Sequence, residues 1–447
     1  IIIILMNLSK ISKFLLILAA VSLIFRKGLF LQTFIPKPFE FFLLLALISG
    51  FFYFFPKNLN KFKIIDKKIY LALFILLFSV GLATLISYLR YGVGFNTEGV
   101  LNAVRFLIMI ITFILFYVFF KDDEVFYKRV WLTFLVSAIF IPFLIFPELA
   151  YKSSIAGVGG RFYGLLQSPA DASLFFLIAL SFFFVLFLEN FYQKRRGFCL
   201  AYFLLTVAMA SLTLWSQTRA AWLGMVGSLM IAGYLVIIAF RKNLLKNLLL
   251  NAVMIILILT LSFAILPSSA KIMLILRIFP QYNYYVREKF NNNIPQLSSQ
   301  NLGDLTSKIK RENASPDLFY DQPRLAIWKD YLKLIPKNPL GLGLNYYRPE
   351  LAVKLQGKPL GGYHNLLLEF WTYGGIAALG AFLYLLWRII LNVKNKIDDS
   401  KNLLTIYNIG IASALFGLII HSLFGGLIFF YFFWILLAMA LTRKIPT

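Results

Sequence analysis

The sequence contains too few charged residues for a protein that is surrounded by water. Charged residues occupy 14% of the 447 positions, whereas 60% are hydrophobic and 17% are aromatic. Soluble domains carry roughly 25% charged residues, because their surfaces must be hydrated. The composition therefore excludes a single soluble core.

Acidic residues are scarcer still, since 19 Asp and Glu stand against 44 Lys and Arg, for a formal net charge of +25. This excess does not indicate a nucleic-acid-binding domain, because the basic residues are scattered between apolar runs. Basic residues placed in this way are typical of the cytoplasmic loops of membrane proteins. We expect membrane lipids, and no nucleic acid, among the partners.

About a dozen apolar stretches approach or reach the roughly 20 residues that a helix needs to cross a bilayer. They predict an all-α polytopic membrane protein with about 12 transmembrane helices. The stretches cover residues 11–25, 40–55, 70–89, 101–120, 130–146, 172–188, 199–215, 220–240, 248–266, 364–391, 403–421 and 427–441.

The short connections between these stretches predict the orientation of the chain. Every second connection is rich in Lys and Arg, which is the mark of the cytoplasmic side. Both termini then lie inside, so the number of spans is even. We expect about nine spans in residues 1–266, a long periplasmic loop at 267–363, and about three spans in residues 364–447. Within the loop, Pro323 and Pro336 enclose apolar residues at helical spacing, which predicts a short amphipathic helix at the membrane surface.

Ionisable residues are rare near the spans and collect at their predicted outer ends, where they indicate a functional site. The candidates are Arg105, Arg161, Arg219, Arg324, His364 and His421. Each also has a structural interpretation, as a headgroup anchor, a loop charge or a helix-end residue, and for His421 we favour that interpretation. His364 is the strongest candidate, because a neutral imidazole between Tyr363 and Asn365, at a loop-to-helix junction, can accept a proton from a hydroxyl.

Several kinds of catalytic site are missing from the sequence. The single cysteine, Cys199, permits neither an internal disulfide nor a cysteine-based metal site. The HExxH, Walker and GxSxG motifs are absent as well. The acidic pairs at 122–123 and 398–399 fall on the predicted cytoplasmic side, away from the candidates. We therefore expect no metal and no cofactor. If the substrate carries a diphosphate, we expect the guanidinium groups of arginines to bind it.

Four segments in order resemble the O-antigen ligase and polymerase-related membrane proteins. Two are residues 161–169, RFYGLLQSP, and residues 216–224, SQTRAAWLG. The third pairs RLAIW at 324–328 with NPLGLG at 338–343, and the fourth is HNLLLEFWTYGG at 364–375. The long loop before the last spans is also similar to the topology of that family.

The resemblance implies a GT-C-like, metal-independent glycosyltransferase on the periplasmic face of the bacterial inner membrane. The donor would be a glycan on a polyprenyl (undecaprenyl) diphosphate, and the acceptor a hydroxyl of lipid A–core oligosaccharide. The family's histidine maps onto His364, as general base, and its arginines map onto Arg219 and Arg324, as diphosphate ligands. We add Arg161 to the diphosphate ligands and keep four secondary candidates: Arg105, Tyr363, Asn365 and His421.

Two alternatives stay open. A polymerase of the same family would use another lipid-linked glycan as its acceptor. A polysaccharide transporter or flippase would place ionisable groups and broken helices near the membrane midplane, often in paired halves. Glu369, deeper in its span, favours transport, but most candidates lie at the outer ends and no paired halves are visible. We therefore favour the enzyme.

Overall fold

The computed structural model describes residues 2–22, 38–54, 66–91, 97–151, 169–240, 244–267, 270–271, 274, 324–344, 365–398, 403–425 and 430–442. Within these ranges the chain forms helices and no strands, which confirms the predicted all-α polytopic fold. Each of the twelve predicted apolar stretches overlaps one helix, and a further helix lies in the loop.

The helices before the loop are α1 (Ile2–Ser22), α2 (Pro38–Phe54), α3 (Lys67–Tyr91), α4 (Thr97–Asp122), α5 (Glu124–Tyr151), α6 (Pro169–Tyr192), α7 (Arg196–Trp215), α8 (Arg219–Ala239) and α9 (Leu244–Ala264). The loop contains α10 (Arg324–Leu334), as predicted. The last helices are α11 (Leu366–Asp398), α12 (Leu403–Ser422) and α13 (Tyr431–Leu441). In the described residues, seven helices are long and apolar enough to cross a membrane, so the count of twelve spans stays a prediction.

Helix α6 is the centre of the bundle, because 94% of its span is buried. A helix that is apolar on all sides packs against protein on all sides. Helices α8 and α12 cross beside it at Gly224 and Gly417, where a Cβ on Gly224 would lie 2.5 Å from the Gly417 oxygen. Small residues let membrane helices approach this closely. The crossing fixes the start of α8 relative to the end of α12.

Helix α11 is broken near its start, which the sequence analysis did not predict. Gly374 and Gly375 depart from helical geometry, and Gly375 has φ +67°. A φ in this range suits glycine, because a Cβ would crowd the neighbouring carbonyl. The helix therefore has a short first half at residues 366–373 and a long second half from residue 376.

Two ion pairs join helices elsewhere in the bundle. Arg388, in the second half of α11, pairs with Asp66 beside α3. Lys13 of α1 lies 2.8 Å from Asp123, between α4 and α5. Partial burial alone would raise the pKa of Asp123, but the hydrogen bonds from Lys13 and from the backbone of Phe126 outweigh burial and lower it below its ordinary value.

Candidate active site

Arg219 is the first residue of α8 and its side chain is exposed. A tight turn at residues 216–218 separates α7 from α8, and Gln217 in this turn is fully buried with φ +54°. A non-glycine residue in this conformation is uncommon and is held only where the surroundings require it. The turn therefore sets the direction in which α8 leaves α7 and the place where Arg219 emerges.

His421 lies at the C-terminal end of α12, buried at 1% exposure against the start of α8. A Cβ on Gly224, five residues after Arg219, would lie 3.3 Å from the His421 Cβ. On the other side, a Cβ on Gly425 would lie 2.7 Å from the imidazole Cε1. The ring thus fills a space between α8 and the residues that follow α12. We call residues 421–425 the α12 turn.

Asn365 joins the start of α11 to the α12 turn. Its Oδ1 accepts hydrogen bonds from the N–H groups of Leu367 at 3.0 Å and Leu368 at 3.1 Å, which is the geometry of a helix N-cap. Its Nδ2 donates to the Leu423 oxygen at 3.0 Å. Asn365 therefore positions the backbone directly after His364 against α12.

The loop helix α10 reaches the same turn through an aromatic contact. The rings of Trp328 and Phe424 lie 5.9 Å apart between centroids. Ile327 and Tyr331 on the same helix are buried, so α10 packs against the protein, whereas its sequence pattern predicts only a helix at the membrane surface. Arg324 is its first residue, one turn before Trp328.

Three helices, α8, α10 and α11, accordingly contact the α12 turn at their starts, through Gly224, Trp328 and Asn365. The first two helices begin with Arg219 and Arg324, and the third begins two residues after position 364. A helix N-terminus carries the positive end of the helix dipole, which stabilises an anion; at α11, Asn365 already caps two of the first N–H groups. The three dipole ends, with the exposed Arg219 at the first of them, suit a ligand that carries phosphate groups.

The predicted site residues divide into three groups. Arg219, Asn365 and His421 lie close to the α12 turn. Arg161, Tyr363 and His364 lie outside the described residues, and so does the side chain of Arg324, although its backbone begins α10. Arg105 is exposed on α4, its one described hydrogen bond goes to Asn102 at 3.4 Å, and none of the described contacts joins it to the turn.

The sequence analysis missed how the glycines of the loop pack. Residues 338–344, which we call the glycine segment, lie against the break in α11 and against α3. Beside them, Tyr331, Trp371 and Thr372 line a small cavity between α10 and α11. The Gly-Gly pair at 374–375 was visible in the sequence and is a recognised sign of a kink. Its use as a binding surface for the loop was not visible.

Among the described residues, no group of three or more His, Cys, Asp and Glu side chains is placed to hold a metal ion.

Residues 204–383 match the family model described as O-antigen ligase. The match runs from α7 to the second half of α11, so it contains Arg219, Arg324, His364, Asn365 and the glycine segment. It supports the O-antigen ligase-related family, whose members are glycosyltransferase-like membrane enzymes of O-antigen and glycan assembly. No curated protein matches the chain.

Proposed function

We propose that the protein transfers a glycan from a polyprenyl diphosphate to a hydroxyl of lipid A–core oligosaccharide on the periplasmic face of the inner membrane. The observation that carries the proposal is the convergence of α8, α10 and α11 on the α12 turn. Their first residues include the two arginines, and His364 lies two residues before α11 in the sequence. The family match covers α8, α10 and the start of α11.

In the proposed reaction, the acceptor hydroxyl attacks the anomeric carbon of the donor glycan. A new glycosidic C–O bond forms, the bond from the anomeric carbon to the phosphate oxygen breaks, and polyprenyl diphosphate leaves. His364 takes the hydroxyl proton as general base, which contributes on the order of 100-fold or more. Arg219, Arg324 and Arg161 stabilise the charge that grows on the diphosphate, since preorganised cations lower the barrier most where charge develops. The donor supplies the driving force.

The helix break supports an enzyme over a transporter. In transporters, broken helices leave backbone groups free to bind the substrate or the coupling ion. Here two of the backbone groups at the break are used within the chain, since the Ile376 N–H donates to the Pro339 oxygen and the Thr372 oxygen accepts the Leu342 N–H. Fewer backbone groups at the break are therefore left to bind a substrate. The candidate site lies instead at the helix ends.

The test is transfer by purified protein that is given a polyprenyl diphosphate-linked glycan with EDTA present. Transfer to added lipid A–core establishes a ligase, and chain extension from the donor alone establishes a polymerase. His364→Ala is expected to abolish transfer. The wild-type rate should fall at acidic pH, where a protonated imidazole is no longer a base, and any residual rate of the variant should not. Folded wild-type protein that transfers to neither acceptor contradicts the proposal and favours transport.

Arg219 has a matched control in Arg196. Both are exposed arginines at the first position of a helix. Arg196 begins α7, whereas Arg219 begins α8 just after α7 ends, so the two arginines lie at opposite ends of α7. We expect Arg219→Ala to lower kcat on the order of 100-fold, as the loss of one charge-stabilising group does, and Arg196→Ala to leave it within about twofold. Equal effects would remove Arg219 from the proposed site.

A further inference from the structure

The glycine segment supplies hydrogen bonds that the break in α11 would otherwise leave unmade. The Leu342 N–H donates to the Thr372 oxygen at 2.6 Å, in the first half of α11. The Ile376 N–H, in the second half, donates to the Pro339 oxygen at 3.0 Å. Backbone groups at membrane depth must be paired within the protein. The loop and the membrane helix therefore complete each other.

Glycine is required on both sides of this contact. A Cβ on Gly375 would overlap the Pro339 oxygen, and a Cβ on Gly341 would lie 2.5 Å from the Gly375 nitrogen. Gly341 and Gly375 also have φ values of +87° and +67°, where a side chain is strained. Two glycine backbones thus pack with no side chain between them. A contact this close allows little sliding of one element past the other.

Helix α3 holds the end of the segment. The Leu344 N–H donates to the Thr84 Oγ1 at 3.2 Å, and this hydroxyl donates in turn to the Val80 oxygen at 2.8 Å. Gly343, with φ +78°, has its Cβ position 2.5 Å from the Thr84 Cα. The segment is therefore bound at three places, to both halves of α11 and to α3.

We propose that the glycine segment is a fixed connection that holds α10 on α11 and α3 throughout turnover, and that Thr84 is a positioning residue. On the proposed function, on which this role rests, the segment keeps Arg324, at the start of α10, in register with His364, before α11. The part of the loop next to α10 then forms a rigid wall of the site and is not a lid that opens with each cycle.

The first experiment replaces Thr84 by Val and by Ser in the full chain. Val keeps the shape and removes the hydroxyl that binds Leu344, so kcat should fall at least about tenfold with KM within about twofold, since a shift of about 1 Å can cost on the order of 100-fold. Ser keeps the hydroxyl and should restore kcat to within about threefold. Thr112→Val is the matched control, because the Thr112 Oγ1 makes the same bond to its own helix, to the Ile108 oxygen at 2.7 Å. Thr84→Val with wild-type kcat overturns the role of Thr84.

Hydrogen exchange provides a measurement that does not depend on activity. Thr84→Val should speed exchange in α10, residues 324–334, several-fold, whereas Thr112→Val should leave it unchanged. Unchanged exchange in both variants contradicts the inference even if transfer is observed. If wild type shows no transfer, the proposed function fails, while exchange still tests the connection.

The second experiment asks whether the connection opens. The Leu340 Cα would lie 2.7 Å from a Cβ on Gly375, and Ile376 is the next residue, whose N–H binds Pro339, the neighbour of Leu340. Leu340 and Ile376 are 53% and 64% exposed, so cysteines there disturb little packing. Leu340→Cys and Ile376→Cys are combined with Cys199→Ala, and the disulfide is detected by the loss of thiol labelling. We expect oxidised protein to retain activity within about twofold of reduced protein. A loss of tenfold or more in the oxidised protein that reducing agent reverses overturns the inference.

Discussion

Replacement of Asn365 should separate the stability of the site from its chemistry. The side chain makes three hydrogen bonds: two cap the first turn of α11 and one reaches the Leu423 oxygen on the α12 turn. Loss of an N-cap side chain costs about 1 kcal/mol, and loss of a buried hydrogen bond costs about 1 kcal/mol. We expect Asn365→Ala to lower the free energy of unfolding by about 2 kcal/mol.

Asn365→Ser divides this total into its two parts. A serine hydroxyl can cap the helix, but it is too short to reach Leu423, so the expected loss is about 1 kcal/mol. Asn190→Ala is the matched control, because Asn190 is equally buried but bonds the Leu186 oxygen of its own helix. Its loss should stay below about 1 kcal/mol.

The assay is equilibrium unfolding of the purified protein in detergent, with transfer measured on the same samples. Transfer should fall in Asn365→Ala more than in Asn190→Ala, because only Asn365 positions the backbone next to His364. Equal stability of the Ala and Ser variants would refute the cap. Wild-type stability in Asn365→Ala would refute the whole account of how α11 is joined to α12.

Two further predictions concern helix packing and pH. Gly224→Ala places a Cβ 2.5 Å from the Gly417 oxygen and should destabilise the protein by about 1–3 kcal/mol, whereas Gly380→Ala, with nothing within 4 Å, should raise the thermal midpoint slightly. The lowered pKa of Asp123 makes its pair with Lys13 stabilising above about pH 4 and ineffective once the pH falls through the folded-state value. Asp123→Asn should therefore lower the free energy of unfolding at pH 7 by less than about 1 kcal/mol. The difference from wild type should shrink as the pH falls below about 4, and a constant difference would contradict the assignment.

The sequence determines much of this fold because each membrane helix is a local property. A run of about 20 apolar residues satisfies its backbone only as a helix, so all twelve predicted stretches fall on helices. The loop helix is also locally defined, since Pro323 directly precedes its first residue in the sequence and its apolar residues recur at helical spacing. The resemblance to the O-antigen ligase family was recognisable for a related reason, because its motifs are short and several lie at helix starts.

The tertiary structure alone decides which helix ends meet and where α11 breaks. Asn365 and Leu423 are 58 residues apart, and no periodicity in the sequence relates them. A Gly-Gly pair is tolerated in an apolar helix, and the break is stable because the glycine segment supplies the missing hydrogen bonds. The position of His421 also depends on tertiary packing. Its sequence context favours an ordinary helix-end residue, but in the structure it is buried against the start of α8. These features arise from contacts between segments that are distant in the sequence. Such contacts stabilise the fold only after the helices have packed together.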